Sequence, residues 1–189
     1  MQKNILLVSA CVRKASRTRQ LARRVLSHLE GNVRTLELDQ AGLQPLNAAA
    51  LAARDACIGA QDYTSARFDC ARELAAAEAV VIAAPYWDLS FPALLKIYFE
   101  NVCVNGLTFR YEDNRPVGLC RAQTLYYVTT AGGPILYDGG FDYTRALAQN
   151  LFGIPRIVRF AAENLDVEGA DVDAILAAAA AGIDDHFRR

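Results

Sequence analysis

The sequence predicts an α/β fold in which a parallel sheet of five strands carries helices on both faces. Five short strand-like runs, at residues 4–8, 33–38, 79–84, 122–129 and 156–161, form one set of elements, and the run at 79–84 (AVVIAA) is apolar throughout, as a central parallel strand requires. Helical patterns separate or follow them, near residues 18–29, 65–77, 92–104, 142–152 and 172–187. Alternation of this kind closes through right-handed crossovers, so the strands run parallel. At 189 residues the chain is long enough for a substantial core. No internal repeat, low-complexity linker or break in composition divides it, so the reading is one domain over residues 1–189.

Each element has its own warrant. The run NILLV at residues 4–8 ends in a turn of hydroxyls and cations, after which Leu21, Ala22, Val25, Leu26 and Leu29 recur at helical spacing. Residues 39–61, after the second strand, are less regular and rich in alanine; they read as an excursion over the site or an oligomer contact. The third run, AVVIAA at 79–84, leads into an aromatic loop. Pro92 then opens a helix, where its missing N–H has no partner to lose. Leu94, Leu95, Tyr98, Phe99, Val102 and Cys103 follow at helical spacing. Gly153 and Pro155 stop the helix of 142–152, and the alanine-rich stretch 174–181 is a good helix former with a structural role.

Composition narrows the functional classes. Hydrophobic residues make up 53 % of the chain, but no apolar run approaches the roughly 18 residues that a membrane span needs. The first eight residues run straight into a strand pattern, which leads to the expectation of a cytoplasmic protein. A net charge of −1, from 20 basic and 21 acidic residues, provides no global field for nucleic acid or an anionic membrane. Five cysteines without CxxC spacing argue against a disulfide framework and a structural zinc site, and two histidines leave little for metal chemistry.

Three loops carry the functional reading. The first, residues 9–18, has hydroxyls at Ser9, Ser16 and Thr18 and cations at Arg13, Lys14 and Arg17, just before a helix. Helix N-termini offer free N–H groups and a favourable dipole to an anion. The turn has no glycine, so both the GxGxxG and the GxxxxGK[ST] patterns are absent. Ser16 or Thr18 acting only as a helix cap is the other reading, and both stand at this point. A rival chemistry lies in the same turn. Cys11 and Arg17 have the Cys-x5-Arg spacing of cysteine-dependent phosphatases, in which a thiolate attacks phosphorus and the arginine holds the oxyanions.

The second loop, Pro85, Tyr86, Trp87, Asp88 and Leu89, places two aromatic side chains at the carboxyl end of a strand, where open α/β sheets bind ligands. In the third, Thr130, Ala131, Gly132 and Gly133, two glycines let backbone approach a ligand closely. A phosphate cradle, an aromatic wall and a glycine-rich wall on one sheet edge match the phosphate, ribityl chain and flat ring of flavin mononucleotide, FMN.

The blocks 84–96 and 98–99, then GLTFRY at 106–111 and TAGG at 130–133, resemble the flavodoxin-like NAD(P)H-dependent oxidoreductases, in the branch of FMN-dependent NADH:quinone oxidoreductases and azoreductases. The resemblance runs from Asn4 to about Asp166. It implies a flavodoxin-like three-layer sandwich, with FMN phosphate at Ser9, Ser16, Arg17 and Thr18 and the ring against residues 85–89 and 130–133. It also implies hydride transfer from NADH or NADPH through FMN to a quinone, azo compound or similar electron-poor aromatic, and a homodimer with its pocket between subunits. Azoreductases carry asparagine where this chain has Asp88. A carboxylate there either disfavours a negatively charged ring or turns outward as a helix cap. Tyr137 is a candidate hydrogen-bond donor to substrate, and no side chain is assigned as a catalytic acid or base. A non-catalytic electron carrier is a further alternative, which the weak net charge does not favour.

Overall fold

The computed structural model describes residues 2–188. In chain order, β1 (Asn4–Ser9) leads to α1 (Arg17–Leu26), β2 (Asn32–Glu37) and α2 (Ala48–Gly59). A 3-10 turn (Ala66–Phe68) precedes α3 (Asp69–Ala76), β3 (Ala79–Ala83) and α4 (Ala93–Val102). A hairpin of β4 (Phe109–Glu112) and β5 (Arg115–Gly118) follows, then β6 (Thr124–Thr130), α5 (Gly139–Leu147) with a π turn (Ala148–Phe152), β7 (Arg156–Ala162) and α6 (Val172–Arg188). The main sheet has five strands, all parallel as the alternation predicts, in the order β2-β1-β3-β6-β7.

Successive side chains of a strand point to opposite faces, so the central strands β1, β3 and β6 each feed two cores. Leu6, Val8, Val80, Ile82, Leu125 and Tyr127 pack with Phe68, Leu74, Leu95, Tyr98 and Phe99 on one face. Ile5, Leu7, Val81, Tyr126 and Val128 pack with Leu21, Val25 and Ile183 on the other. Burial on both sides explains why β1 and β3 read as apolar runs, whereas the edge strand β2 buries only Leu36 and carries Arg34, Thr35 and Glu37. Among the described residues, no helix is long and apolar enough to cross a membrane.

The five strands fall within two residues of their expected bounds; the helices and connections differ more. Residues 39–61, expected to be irregular, contain α2, which buries no residue and is capped by the Asn47 side chain accepting from Ala50 N–H at 2.9 Å. Its near-uniform alanine content leaves no apolar period to detect. The β4–β5 hairpin, absent from the sequence reading, turns at Asp113 and Asn114, whose φ angles are 48° and 61°. That is the type I′ geometry asparagine and aspartate tolerate. α5 starts at Gly139, three residues earlier than expected, because Asp138 Oδ1 accepts from Phe141 N–H at 3.0 Å. The helix expected over 65–77 divides into the 3-10 turn and α3, and α1 ends at Leu26 rather than 29.

β5 meets the π turn backbone to backbone: a Cβ on Gly118 would lie 2.1 Å from Gly153 N. Gly118→Ala is predicted to destabilise the protein by about 3 kcal/mol, by overpacking against main chain that cannot retreat. Gly59→Ala, with nothing within 4 Å of the added carbon, is the control and stays at or above wild-type stability in urea unfolding.

α1 and α6 are tied by Asp184, which accepts from Arg24 Nε at 2.6 Å and lies 2.7 Å from His28 Nε2. The Arg24 guanidinium first, then His28, holds the Asp184 carboxyl well below the usual carboxylate range. A depressed folded-state pKa gives stabilisation that is present above the ordinary carboxylate pKa and is lost as pH falls toward the folded value. Asp184→Asn therefore melts below wild type at pH 7, and the difference shrinks as thermal scans move from pH 5 toward pH 2.

Candidate functional site

In an all-parallel sheet every strand delivers its following loop to the same edge. Between the loops after β1, β3, β6 and β7 lies a cleft of about 270 Å³. Of the residues singled out from sequence, Cys11, Arg13, Ser16, Arg17, Thr18, Pro85, Tyr86, Trp87, Thr130, Ala131 and Gly132 line it, joined by Val12, Ala15, Leu165 and Asp166. A larger hollow, of about 1010 Å³, lies around Lys3, Gly31, Glu78 and Thr124 at the opposite, amino edge of the strands.

At one end of the cleft stands the N-terminus of α1. Ser16 caps the helix, its Oγ accepting from Arg19 N–H at 3.2 Å. The Thr18 and Thr130 hydroxyls are 2.6 Å apart, linking α1 to β6. Arg17 Nη1 donates to Asp166 Oδ1 at 2.7 Å and to the Leu165 carbonyl at 3.1 Å. Both partners of that ion pair are partly solvent-exposed, so it contributes about 0.2–1 kcal/mol and remains exchangeable. Ser9 does not line the cleft. It is buried at the end of β1, where its Oγ accepts from Cys11 N–H at 3.4 Å and shapes the loop from beneath.

The aromatic wall is a tight turn. Trp87 and Ser90 exchange backbone hydrogen bonds at 3.1 and 2.8 Å, closing a two-residue corner at Asp88 and Leu89. Those two residues have φ of 49° and 64°, a type I′ geometry that costs non-glycine residues about 1–3 kcal/mol each. The turn is held by Tyr86 N–H donating to Thr130 O at 3.0 Å and the Tyr86 hydroxyl donating to Tyr137 O at 2.8 Å. Asp88 and Leu89 occupy the exposed corner, outside the cleft lining, and Trp87 is 41 % exposed at its rim. Tyr137 presents its carbonyl to Tyr86 and leaves its own ring 61 % exposed.

The glycine wall is an extension of the sheet. Leu165 N–H donates to Ala131 O at 3.1 Å and Asp166 N–H to Gly132 O at 2.9 Å, while Asn164 N–H reaches Gly133 O at 3.1 Å. A Cβ on Gly132 would lie 2.5 Å from Asp166 Oδ2, so the glycine makes room for that carboxylate. Gly133 itself is not part of the cleft lining. The segment after the wall is pinned by Glu163 Oε2, which accepts from Ile135 N–H at 2.8 Å.

Two contributors escaped the sequence reading. Asp166 was legible only as a residue just beyond the last strand, in a loop to which no motif pointed. Arg19, inside α1, carries no local signal at all, yet its guanidinium lies under the first loop.

Residues 3–187 match the model of the family described as having the flavodoxin-like fold. The chain belongs to this family. It is 40 % identical over 112 residues to FMN-dependent NADH:quinone oxidoreductase 2 of Clostridium acetobutylicum, covering 56 % of each protein. It is 41 % identical over 106 residues to an FMN-dependent NADH:quinone oxidoreductase of Clostridium perfringens, covering 54 % of this chain and 53 % of the relative. The chain thus spans little more than half the length of the curated relatives it matches. Among solved structures, an azoreductase from Bacillus anthracis superposes with a TM-score of 0.82 over 98 % of both chains at 19 % identity. An NAD(P)H:quinone oxidoreductase from Methanothermobacter marburgensis does so with 0.73 over 100 % of this chain and 99 % of its own, at 16 % identity. At these identities the likeness is one of fold.

The Cys-x5-Arg pair does not assemble a nucleophile. Cys11 is buried, its thiol directs toward Ala83 O at 3.6 Å, and burial pushes its pKa up, so the protonated form persists at neutral pH. Arg17 turns to Asp166 and Leu165. Cys11→Ser should therefore leave p-nitrophenyl phosphate hydrolysis at the background rate of wild type; a Cys11-dependent activity would restore the hydrolase reading.

Proposed function

We propose that this protein is an FMN-dependent NAD(P)H oxidoreductase that reduces quinones, azo compounds or similar electron-poor aromatics. The observation that carries the reading is the cleft's two-ended chemistry. One end offers helix N–H groups, hydroxyls and Arg17; the other offers the flat surfaces of residues 85–87 and 130–132. A phosphorylated, planar heterocycle fits that division, and the activities of the clostridial relatives and of the azoreductase of similar fold support it. When bound, FMN supplies reversible acceptance and donation of hydride.

On this reading the residues take the following roles. Ser16, Arg17, Thr18 and the first turn of α1 hold the phosphate, with Ser9 supporting the loop from below. Tyr86 and Trp87 shape one side of the ring site; Asp88 and Leu89 set its turn through their backbone. Thr130, Ala131 and Gly132 form the opposite side, where Gly132 keeps main chain close, and Gly133 continues the wall beyond the lining. Tyr137, whose ring is exposed and whose carbonyl accepts from the Tyr86 hydroxyl, is the candidate hydrogen-bond donor to an acceptor. None of these side chains need carry a proton in the hydride step, so none is assigned as an acid or base. The same reading includes NADH or NADPH as donor, a homodimer and a cytoplasmic location.

The first test is the visible absorption spectrum of the purified protein before and after FMN addition and desalting. Retained flavin absorbance, bleached by NADH or NADPH and restored by a quinone, is the expected result. A protein that stays colourless overturns the reading. In a protein that does bind, Ser16→Ala combined with Thr18→Ala should weaken FMN binding by about tenfold or more, the weight of one charge-assisted hydrogen bond. Riboflavin, which lacks the phosphate, should lose far less.

A further inference from the structure

We propose that Arg19 is the positioning residue that gives the glycine-free first loop its anion-binding shape. This rests on reading the cleft as an FMN site. Phosphate loops normally use glycine so that successive peptide N–H groups can turn toward one point. Residues 9–18 contain none. In its place, three carbonyl groups of the loop converge on one guanidinium. Arg19 Nη2 donates to Cys11 O at 2.5 Å, and Nη1 donates to Arg13 O at 3.0 Å and Lys14 O at 3.4 Å. Nη2 also donates to Glu37 Oε2 at 2.9 Å, at the end of β2. The Arg19 side chain is only 15 % exposed, so this is an internal brace rather than a surface contact.

A planar trans peptide places its C=O and the next residue's N–H on opposite sides. Drawing in the carbonyls of Cys11, Arg13 and Lys14 therefore turns the N–H groups of Val12, Lys14 and Ala15 the other way. Sheet order sets what that way is. β2 lies on one flank of β1, whereas β3 and β6 lie on the other. Arg19 and Glu37 draw the carbonyls toward the β2 flank, which would turn the N–H groups to the flank where the loops after β3 and β6 bound the cleft, and Val12 and Ala15 line that cleft. Glu37 offsets the arginine's charge, so what Arg19 contributes is the geometry of its planar fork, which a lysine cannot reproduce.

The experiment compares FMN and riboflavin affinity by flavin fluorescence in wild type, Arg19→Lys and Arg19→Gln, with apo-protein melting followed alongside. Both variants should lose about tenfold of the preference for FMN over riboflavin while riboflavin affinity changes less than about twofold. Methylguanidinium in the buffer should restore part of that preference in Arg19→Ala. Retention of the wild-type preference by Arg19→Lys would show that charge suffices, and retention by Arg19→Gln that the residue is dispensable; either overturns the proposal. Wild-type protein that does not bind FMN overturns the function reading instead. A second measurement needs no variant: titration of wild type with inorganic phosphate, followed by amide NMR. The Val12, Lys14 and Ala15 N–H resonances should shift downfield together, and shifts confined to other amides would overturn the proposed loop geometry.

Discussion

Parallel pairing in register is the constraint on which the rest of this molecule depends. Ser9 lies opposite Ala83, and Ala83 opposite Val128, so β1, β3 and β6 end almost level. Each following residue then pairs onward, Ala10 N–H with Ala83 O, Ala84 N–H with Val128 O and Ala131 N–H with Ala162 O. With neighbouring strands about 4.8 Å apart, the loops after β1 and β6 start about 10 Å from each other with the β3 loop between them. Three loops with no sequence similarity are thus held at one height and fixed spacing by backbone geometry alone. The apolar faces that bury the sheet on both sides are what keep that geometry in place.

A rigid edge can carry strained connections. The Asp88–Leu89 corner keeps two non-glycine residues at positive φ, and neither residue is buried against anything that would stabilise it locally. Its hold comes from its flanks: Tyr86 bonds through both its N–H and its hydroxyl, and Phe91 packs against Phe99 and Tyr143. The first loop carries no such positive-φ residue, and the Arg19 guanidinium holds its carbonyls from within α1. The strain of the Asp88–Leu89 corner thus sits at the site, while the groups that fix it lie on neighbouring elements.

The five strands and their parallel pairing were legible because hydrophobic patterning and the alternation with helices are one-dimensional signals, whereas the order of the strands was supplied by the structure. The loops' convergence was legible too, since it follows from parallel connectivity. α2 was not, because Ala48 to Ala53 with a single leucine has helix propensity but no period. The hairpin at 109–118 hid in a stretch whose Asp113–Asn114 corner is a recognisable turn only when its flanks are read as strands. Within the site, the cap at Ser16 and the wall at 85–87 could be read locally. Asp166 and Arg19 could not, because their importance lies in partners 149 and 8 residues away in sequence. Long-range hydrogen bonds leave no pattern in a single chain.

Those long-range partners also change the electrostatic picture that the sequence suggests. Asp88, whose carboxylate invited concern about a negative charge beside a flat ring, stands at a solvent-exposed corner, where water screens unit charges to about 1 kcal/mol even at 4 Å. The carboxylate that does face the cleft is Asp166, and it is paired with Arg17. Arg13 and Arg17 against Asp166 leave the charged lining with one cation in excess, at the α1 end, although the whole chain carries −1. The α1 dipole adds to that local field, and the Arg19–Glu37 pair leaves it nearly unchanged. An anion is therefore drawn to the end of the cleft where hydroxyls and N–H groups can hold it. Because the Arg17–Asp166 pair is exposed and weak, an arriving phosphate can take over the arginine without dismantling the wall, since Asp166 remains anchored to Gly132 through its own N–H.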